Sequence, residues 1–467
     1  DGTGSSSGNG DGLLNPGETV ELTIPFYNFG TDTSTDVYAK LVSESEYISF
    51  VNDSVFIGSI PNSQSVIPVD KFVVQVNAGL VEGSNLDLRV EMFDVNSSMW
   101  RGYVGGLISG TQLVVEDVSV VDFGDGILQP GETSELEVIL KNSGSILAGN
   151  VTAEITCPHP DIEIIDNAGT WGDMYSGQMS SNNSDQFTLY AGESIIPGTI
   201  VHLSISITAD NNVHFSQLVP LQIGDPQVND PLGPDAYGYY IYDSGDLLYG
   251  VAPYYNWIEI DDRYSGDGDY LNNLQDGGNN GDNSVTVTLP FTFRMYGTDY
   301  SQITICSNGW ISMGDTDMAS FRNYHIPGPG GPSPMIAGFW DDLKLTGGGR
   351  VYTKYDETGH SYIVQWSRVE TYQNGSTETF QIILRDPQFY FTPTGDGEAL
   401  IQYHTFNNTS SGNYSGWPQV HGGYSTVGIE DASNTIGLEY TFNNIYANAA
   451  MPLVNETALL ITTRGGA

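Results

Sequence analysis

The amino-acid sequence predicts an all-β protein, with two tandem immunoglobulin-like β-sandwiches followed by a larger, jelly-roll-like β-sandwich. A turn-forming segment occurs twice, as GLLNPGET in residues 12–19 and as GILQPGET in residues 126–133. Apolar and polar residues alternate with a period of two in segments such as residues 20–24, 135–140 and 202–207. We find no capped amphipathic stretch long enough for a helix. Together these patterns are typical of packed β-sheets.

The repeated segment marks the first two domains. Its register continues without a gap, so that Asn28 aligns with Asn142. Residues 1–110 and 111–225 are therefore predicted to be two copies of one module of about 110 residues, a common size for a β-sandwich. Tandem sandwiches mostly present, space or assemble other parts, which argues against a single-domain enzyme.

The two copies differ at their beginning. Residues 112–121 read QLVVEDVSVV and predict a first strand in the second module. The same place in the first module is taken by residues 1–10, DGTGSSSGNG, in which Thr3 is the only β-forming residue. We therefore expect the first module to lack one strand and to leave a sheet edge open. Such an edge can accept a strand from another chain; the alternative is that the given chain begins after that strand.

A third, larger domain follows. Residues 226–234, PQVNDPLGP, contain three prolines and predict a stiff linker. Residues 235–467 lack the repeated segment and contain β-patterned runs such as residues 285–293, 303–312 and 362–369. A chain of 467 residues has room for about three domains, each with its own core.

Composition narrows the class of function. The chain has 57 Asp and Glu against 14 Lys and Arg, a net charge of −43. This charge repels phosphate backbones and anionic lipids and favours divalent cations, so we expect no nucleic-acid binding. No apolar run reaches the roughly 18 residues of a membrane span, so we expect no membrane insertion. Cys157 and Cys306 are far apart in sequence and are predicted to be buried apolar side chains.

Four motifs of the third domain carry a family resemblance. They are Phe291-Thr292-Phe293, Ser307-Asn308-Gly309-Trp310-Ile311, Phe339-Trp340-Asp341-Asp342-Leu343 and Gly395-Asp396-Gly397-Glu398. The pattern resembles a nidogen-like β domain, which lies C-terminal to gingipain-type cysteine peptidases and other secreted enzymes of Bacteroidota and Cloacimonadota. The repeated modules resemble the immunoglobulin-like spacers of the same proteins, many of which the type IX system exports. The resemblance implies a secreted modular protein, on the cell surface or released.

The sequence shows no catalytic constellation. A hydrolase needs a positioned nucleophile and base, or a metal with an open coordination position. There is no HExxH motif, and the only GxSxG match, residues 4–8, lies in a Ser/Gly leader rather than at a strand-to-helix turn. The peptidase domain of the similar proteins is not in this sequence either, so its activity is not carried over. We expect the chain not to be an enzyme.

Loops rich in Asp and Gly are candidate sites for structural Ca²⁺. Ca²⁺ takes about six to eight hard oxygen ligands, and Gly permits the turns that converge them. Residues 261–269 concentrate four acids, whose charges repel unless a cation or solvent screens them. The alternative is a polar turn whose Asp side chains bond their own backbone. The predicted Ca²⁺ ligands are Asp11, Asp122, Asp125, Asp261, Asp262, Asp267 and Asp269. Asp341-Asp342 is a further ligand pair or a strand-end cap.

Aromatic residues indicate candidate sites for glycan binding, and sequence motifs indicate candidate sites for glycosylation. Aromatic rings stack on pyranose rings, and Trp417, Tyr254 and Tyr255 are the candidate glycan contacts. Three other tryptophans lie in apolar strands and are predicted to be core residues instead; they are Trp310, Trp340 and Trp366. The candidate glycosylation acceptors are Ser54, in an Asp-Ser-apolar motif, and the sequon residues Asn96, Asn150 and Asn374.

These observations favour a non-catalytic extracellular protein, structural or adhesive, on the cell surface or secreted. The more specific form of this hypothesis is a filament or surface-array subunit that associates head to tail. In it, a strand of the neighbouring molecule completes the first module. The neighbour's C-terminal residues 458–463 are one candidate donor strand. The alternative is the accessory spacer and substrate- or glycan-binding region of a secreted peptidase.

Overall fold

The computed structural model describes residues 2–80, 82–96, 98–122, 124–210, 213–278, 281–411 and 423–465. These residues confirm the all-β class: the elements are antiparallel strands apart from a 3₁₀ turn at Asp262–Tyr264, and none of the described sheets closes into a barrel. The chain divides into two compact units. The first comprises Asp1–Gly126, Thr133–Tyr190 and His202–Leu221, and the second comprises Ile127–Glu132, Ala191–Val201 and Gln222–Ala467.

The first module contains two main sheets and a short ribbon. Alternation decides its core: Val37, Ala39 and Leu41 are buried, whereas Tyr38 and Lys40 between them are exposed. In spatial order the strands are Thr19–Leu22, Phe72–Val76 and Ile48–Asn52 in one sheet, Ser54–Ile60, Ser34–Ser43, Leu88–Phe93 and Met99–Val104 in the other, and Phe26–Tyr27 with Ser65–Val66 in the ribbon.

The second module repeats this architecture with one strand more. Ser54–Ile60 recurs as Ala168–Met174, and Phe72–Val76 recurs as Phe187–Ala191. In spatial order its strands are Leu113–Val121, Thr133–Asn142, Phe187–Ala191 and Ile162–Asp166 in one sheet, with Met179–Ser181 beside the second of them, and Ala168–Met174, Ala148–Thr156, Thr199–Ala209 and Val213–Ile223 in the other. The described part of the first module has no counterpart of Leu113–Val121.

The repeated motif is a turn that leads into a strand. Gly17 and Gly131 have φ of +86° and +82°, the conformation that the third position of a type II turn requires after Pro. In each copy the following Glu accepts a hydrogen bond from the backbone three residues earlier, as Gln129 N donates to Glu132 Oε2 at 2.9 Å. The motif therefore recurs because both modules need the same turn.

The third domain consists of two large sheets with an apolar core between them. Its inward-facing residues include Phe339 on one sheet and Phe380 on the other, whose rings stack with centroids 5.7 Å apart. One sheet contains Tyr240–Asp243, Thr457–Thr462, Ala399–Thr405, Thr377–Arg385, Ser361–Thr371, Arg350–Asp356 and Asp269–Tyr270 in this order, with Leu343–Lys344 beside Ser361–Thr371. The other contains Ser284–Met295, Thr298–Cys306, Trp310–Met313, Met335–Trp340, Thr426–Glu430, Gly437–Phe442 and Ile445–Tyr446.

The predicted core residues of this domain are confirmed. Trp310, Trp340 and Trp366 are 0, 1 and 0% exposed, and each indole N–H donates to a backbone carbonyl. Cys306 is fully buried, as expected.

In the second module, Cys157 is only half-buried, so the prediction that it is buried was wrong. Cys157 is the first residue after the strand Ala148–Thr156, so it lies outside the sheet.

The C-terminal strand is not free to leave the domain. Thr457–Thr462 lies between Tyr240–Asp243 and Ala399–Thr405 and is hydrogen-bonded to both. All six of its residues are buried. The prediction that residues 458–463 serve as a donor strand for a neighbour was therefore wrong, because both edges of this strand are already paired.

Candidate functional site

The strand Thr19–Leu22 forms an open edge of the first module. One side of it is hydrogen-bonded to Phe72–Val76. On the other side, among the described residues, only Ser7 pairs with it: the backbones of Ser7 and Thr19 exchange hydrogen bonds of 2.8 and 3.0 Å. Because successive residues direct their backbone groups to alternate sides of a strand, the N–H and C=O of Glu21 also point to this open side.

The second module shows what occupies this place when the sheet is complete. There Leu113–Val121 is paired with Thr133–Asn142 from Leu113↔Asn142 to Val121↔Glu135. The difference reaches the core. Leu136 and Val138 are 1 and 0% exposed in the second module, whereas their counterparts in the first, Leu22 and Ile24, are only partly buried. The open edge is thus accompanied by an incompletely covered core.

A proline limits the length of the open edge. Pro25 stands where the second module has Ile139, which pairs with Asp117 of the first strand. Proline has no N–H to donate and is typical of edge strands, where it prevents uncontrolled pairing. A strand that adds here can therefore form a regular ladder only with the residues before Pro25.

The predicted Ca²⁺ loop of the first module is bonded within itself. Asp11 is exposed, and its Oδ1 accepts from Leu13 N at 2.8 Å while its Oδ2 accepts from Asn9 Nδ2 at 2.9 Å. Glu18 Oε1 accepts from Asn9 N at 2.8 Å. These are the contacts of a polar turn that bonds its own backbone.

The corresponding loop of the second module has similar contacts. Asp122 Oδ1 accepts from the backbone N–H of Gly124 and Gly126 at 2.9 and 3.1 Å. Asp125 is exposed. The Ca²⁺ prediction for Asp11, Asp122 and Asp125 remains a prediction, and the turn alternative accounts for the contacts that these carboxylates make.

The acidic run of the third domain contacts the strand Arg350–Asp356, which is distant in sequence. Asp262 accepts from the Tyr352 hydroxyl at 2.7 Å, and Asp267 lies 2.6 Å from Lys354 Nζ. Asp269 pairs with Thr353 in the sheet. We expected these acids to repel one another because their partners lie in the strand Arg350–Asp356. Those residues are too distant in sequence to be recognised as partners from the acidic segment alone.

Asp261, at the start of this run, is fully buried. Arg263 binds both of its oxygens, with Nη2 2.6 Å from Oδ2, and Ser367 Oγ donates to Oδ2 at 2.6 Å. Burial raises the pKa of this carboxyl, but the hydrogen bonds from Arg263 and Ser367 outweigh it and hold the pKa below its usual range. Asp261 is therefore an ionised structural cap of the 3₁₀ turn.

Two of the acids in the family motifs also have structural partners. Asp396 accepts from the Tyr237 hydroxyl at 2.8 Å. Glu398 is buried, and its two oxygens lie 3.1 Å from Arg385 Nη1 and 2.6 Å from Arg464 Nη2. These motif residues hold the sandwich together, so the motif by itself identifies a fold and not a reaction.

Three buried acids of the third domain lie outside the acidic loops predicted to bind Ca²⁺; among them, Asp341 belongs to the pair that the sequence offered as further ligands or a strand-end cap. Burial raises the pKa of Asp246 to about 8 and that of Glu378 to about 7, and it raises the pKa of Asp341 well above its usual range. Glu378 could have been found from the sequence, because it is in phase with the inward-facing Phe380 and Ile382 of the same strand. Among the described residues, no group of three or more His, Cys, Asp or Glu side chains is placed to hold a metal.

The aromatic candidates differ in exposure. Tyr254 is 81% exposed and is available to a ligand, whereas Tyr255 is half-buried, packs against the core and stacks on Trp257 with ring centroids 6.5 Å apart. Trp417 lies outside the described residues. Of the two described rings, only Tyr254 is therefore freely available to a ligand.

The glycosylation candidates are all on the surface, but the three asparagines use their amide nitrogen. Asn150 Nδ2 donates to Asp210 at 2.8 Å, Asn374 Nδ2 donates to the carbonyl of Thr409 at 3.0 Å, and Asn96 Nδ2 donates to Asp94 at 3.5 Å. A glycan on any of these nitrogens would have to replace its bond. The exposed acceptors are Ser54, Asn96, Asn150 and Asn374.

Comparison with known proteins identifies the third domain in broad terms. Residues 267–460 match the family model described as NIDO related. None of the curated proteins matches the chain. The third domain is thus a β-rich domain of a type found outside cells. Within the described residues, no helix is long and apolar enough to cross a membrane.

Two solved structures are distantly similar. A protein of unknown function from Porphyromonas gingivalis W83 is 12% identical, over 45% of this chain and 93% of that chain, with a TM-score of 0.16. The secreted serine protease VesC from Vibrio cholerae is 12% identical, over 46% of this chain and 49% of that chain, also with a TM-score of 0.16. The chain thus spans about half the length of VesC. Similarity at this level carries no argument about activity.

Proposed function

We propose that this protein is a non-catalytic extracellular structural or adhesive protein whose first module accepts a β-strand from a neighbouring molecule. The observation that carries the proposal is the difference between the two copies: the edge that Leu113–Val121 covers in the second module is open at Thr19–Leu22 in the first. Backbone pairing supplies affinity in such β-augmentation, and the pockets for alternate side chains supply specificity.

The second module indicates the chemistry of the incoming strand. It runs antiparallel to the acceptor, and its inward side chains are apolar, as Val120 and Val118 are in the second module, where they pair with Leu136 and Val138. Such side chains would cover Leu22 and Ile24, which are partly buried in the first module. Repeated addition of this kind joins molecules head to tail, a heterologous contact that extends into a fibre unless a ring closes.

A peptide with the sequence of residues 112–122 tests the acceptor. We expect labelled peptide to bind the full chain saturably and a scrambled peptide not to bind. The variant Glu21→Pro removes the N–H that points to the open side, and it should abolish binding, whereas Glu21→Ala keeps that N–H and should bind like wild type. Fluorescence anisotropy measures all three. Equal binding to the Pro and Ala variants would refute strand addition at this edge.

Electron microscopy of the native protein, with and without EDTA, tests assembly. Regular fibres are expected, and Glu21→Pro should shorten or abolish them. Loss of fibres in EDTA would support structural Ca²⁺ at or near the contacts. Single particles under both conditions would contradict the polymer.

A second candidate function is the accessory spacer and ligand-binding region of a secreted peptidase of the gingipain type, exported by the type IX system. The NIDO-related match over residues 267–460, behind two tandem modules, favours it. Single particles by microscopy, together with glycan or polypeptide binding that Tyr254→Ala weakens, would support this function over the structural one.

A further inference from the structure

Two buried acids interrupt the apolar core of the third domain. Along the strand Met335–Trp340, Phe339 faces the core and Asp341 follows two residues later; on the facing sheet Glu378 comes two residues before the core residue Phe380. Side chains two positions apart in a strand share a face, so the Glu378 carboxyl continues the inward-facing row of its strand, and Asp341 is the first residue after the end of Met335–Trp340. Asp341 and Glu378 are 1 and 0% exposed.

The Asp341 carboxylate has few partners, namely the backbone of Asp342 and the side chain of Ser410. Its Oδ1 accepts from the backbone N–H of Asp342 at 2.8 Å, and its Oδ2 accepts no hydrogen bond in the described part of the chain. A carboxylate has about four acceptor positions, so those on Oδ2 of Asp341 are unused. The other buried motif acids have partners on both oxygens, which makes Asp341 the exception: Glu398 binds two arginines, and Asp396 accepts from the Tyr237 hydroxyl and from Gly297 N.

A second oxygen without a partner lies on the adjacent strand. Trp340, the last residue of its strand, pairs with Thr426, the first residue of the neighbouring strand, so Asp341 and Ser425 are the next residues beyond this pair. Ser425 is 0% exposed, and its Oγ has no hydrogen-bond partner among the described residues. Buried polar atoms are nearly always bonded, so two such oxygens at neighbouring positions indicate a missing ligand.

Glu378 provides the second negative charge. Its Oε1 accepts from Ser376 Oγ and Asn408 N at 2.8 and 3.0 Å, and its Oε2 accepts from Asn407 N at 2.7 Å. One acceptor position on Oε2 remains after these bonds.

The charged groups around Asp341 are negative. Burial raises the pKa of the Asp341 carboxyl most, and the negative charges of Asp342 and Glu378 raise it further. No Lys or Arg is among the groups that affect the pKa of Asp341 most. Two buried carboxylates without a base carry the charge that one divalent cation neutralises.

We propose that Asp341, Glu378 and Ser425 form a Ca²⁺ site in the core of the third domain, distinct from the exposed acidic loops. Carboxylate and hydroxyl oxygens are hard ligands, and their mixture with backbone and amide oxygens suits Ca²⁺, which accepts irregular geometry better than Mg²⁺. The ion replaces the protons that burial otherwise forces onto these acids. It fixes the end of Met335–Trp340 against the strand Thr377–Arg385 of the facing sheet.

Thermal unfolding of the full chain tests the site. Tryptophan fluorescence reports mainly on the third domain, since five of the seven tryptophans lie in it. With Ca²⁺ at about 10 mM, roughly 100 times a Kd typical of extracellular Ca²⁺ modules, we expect the Tm to rise by about 5–10 °C over that in EDTA, and Mg²⁺ to give less. Asp341→Asn should lose this rise, and Asp299→Asn, which changes an exposed acid outside the predicted Ca²⁺ ligands, should keep it.

Two results would overturn the proposal: a wild-type Tm that Ca²⁺ does not change, or a full Ca²⁺-dependent rise in Asp341→Asn. If Asp341→Asn does not fold, Ser425→Ala decides, because it removes only the Oγ ligand. The Ca²⁺ concentration for half of the Tm rise should then increase about tenfold, the loss expected for one ligand of a metal site. An unchanged concentration would exclude Ser425 and the site built on it.

Discussion

Replacing Asp246 by Asn should change how the stability of the third domain depends on pH. Asp246 is fully buried; its Oδ2 accepts from Asp243 N at 2.7 Å, and its Oδ1 has no partner among the described residues. Burial, followed by the charges of Asp243 and Asp230, raises its pKa from 3.8 to about 8. The folded state therefore binds this proton more tightly than the unfolded state does.

The sign and size of the effect follow from proton linkage. The stabilisation is fully present below the unfolded pKa near 4 and is lost as the pH rises through the folded pKa of about 8. At about 1.4 kcal/mol per pKa unit the shift corresponds to roughly 5–6 kcal/mol, and relaxation and water entry should reduce this to about 2–4 kcal/mol. Asn keeps the shape of the side chain and cannot ionise. Asp246→Asn should therefore exceed the stability of wild type by about 2–4 kcal/mol near pH 9 and by much less near pH 5, where most of the stabilisation of wild type is still present.

Urea unfolding in EDTA, followed by tryptophan fluorescence at both pH values, measures the difference. Glu378 and Asp341 titrate in the same direction, but they are present in both proteins and cancel in the comparison. Asp267→Asn is the matched control, because its exposed ion pair with Lys354 should contribute less than about 1 kcal/mol at either pH. If Asp246→Asn is destabilised equally at pH 5 and pH 9, the carboxyl is ionised in the fold and the reasoning fails.

Three further predictions concern packing and charge, each measured by urea unfolding. Glu398→Gln should destabilise the third domain by about 2–4 kcal/mol, because two arginines lose a buried charged partner. Glu439 pairs with an exposed histidine, so Glu439→Gln should cost less than about 1 kcal/mol. Gly309→Ala should cost about 2–4 kcal/mol, since its φ is +81° and a Cβ would collide with backbone; a smaller loss would mean that the turn relaxes. Leu136→Ala should cost about 2–4 kcal/mol and Leu22→Ala about 1–2, because only the former is fully buried; equal costs would contradict an uncovered first core.

Local patterns predicted much of the fold. The all-β class followed from alternation, which depends only on the two-residue period of a strand. The burial of Trp310, Trp340 and Trp366 followed from their apolar strand contexts, and the structure confirmed it. The contrast between residues 112–121 and residues 1–10 indicated where the two sheets differ, because a strand needs β-forming residues of its own.

The sequence could not predict which distant residues meet. Residues 458–463 have the apolar pattern of a strand, but the pattern is the same for a free strand and for one paired on both sides, as Thr457–Thr462 is. The acids of residues 261–269 looked unscreened because Lys354 and Ser367 lie about a hundred positions away in sequence. Hydrogen bonds and ion pairs of this kind depend on sheet order, which no local window contains.

The sequence alone therefore determined the class of fold, the repeated module and the residues that face its cores, since these follow from backbone periodicity and turn chemistry. Only the tertiary structure decided which acids are satisfied. Asp261 and Glu398 are bound by arginines, whereas Asp341 is buried with an Oδ2 that has no hydrogen-bond partner among the described residues. The physical reason is that the energy of a buried charge depends on the groups within a few ångströms of it, and folding brings those groups from remote parts of the chain.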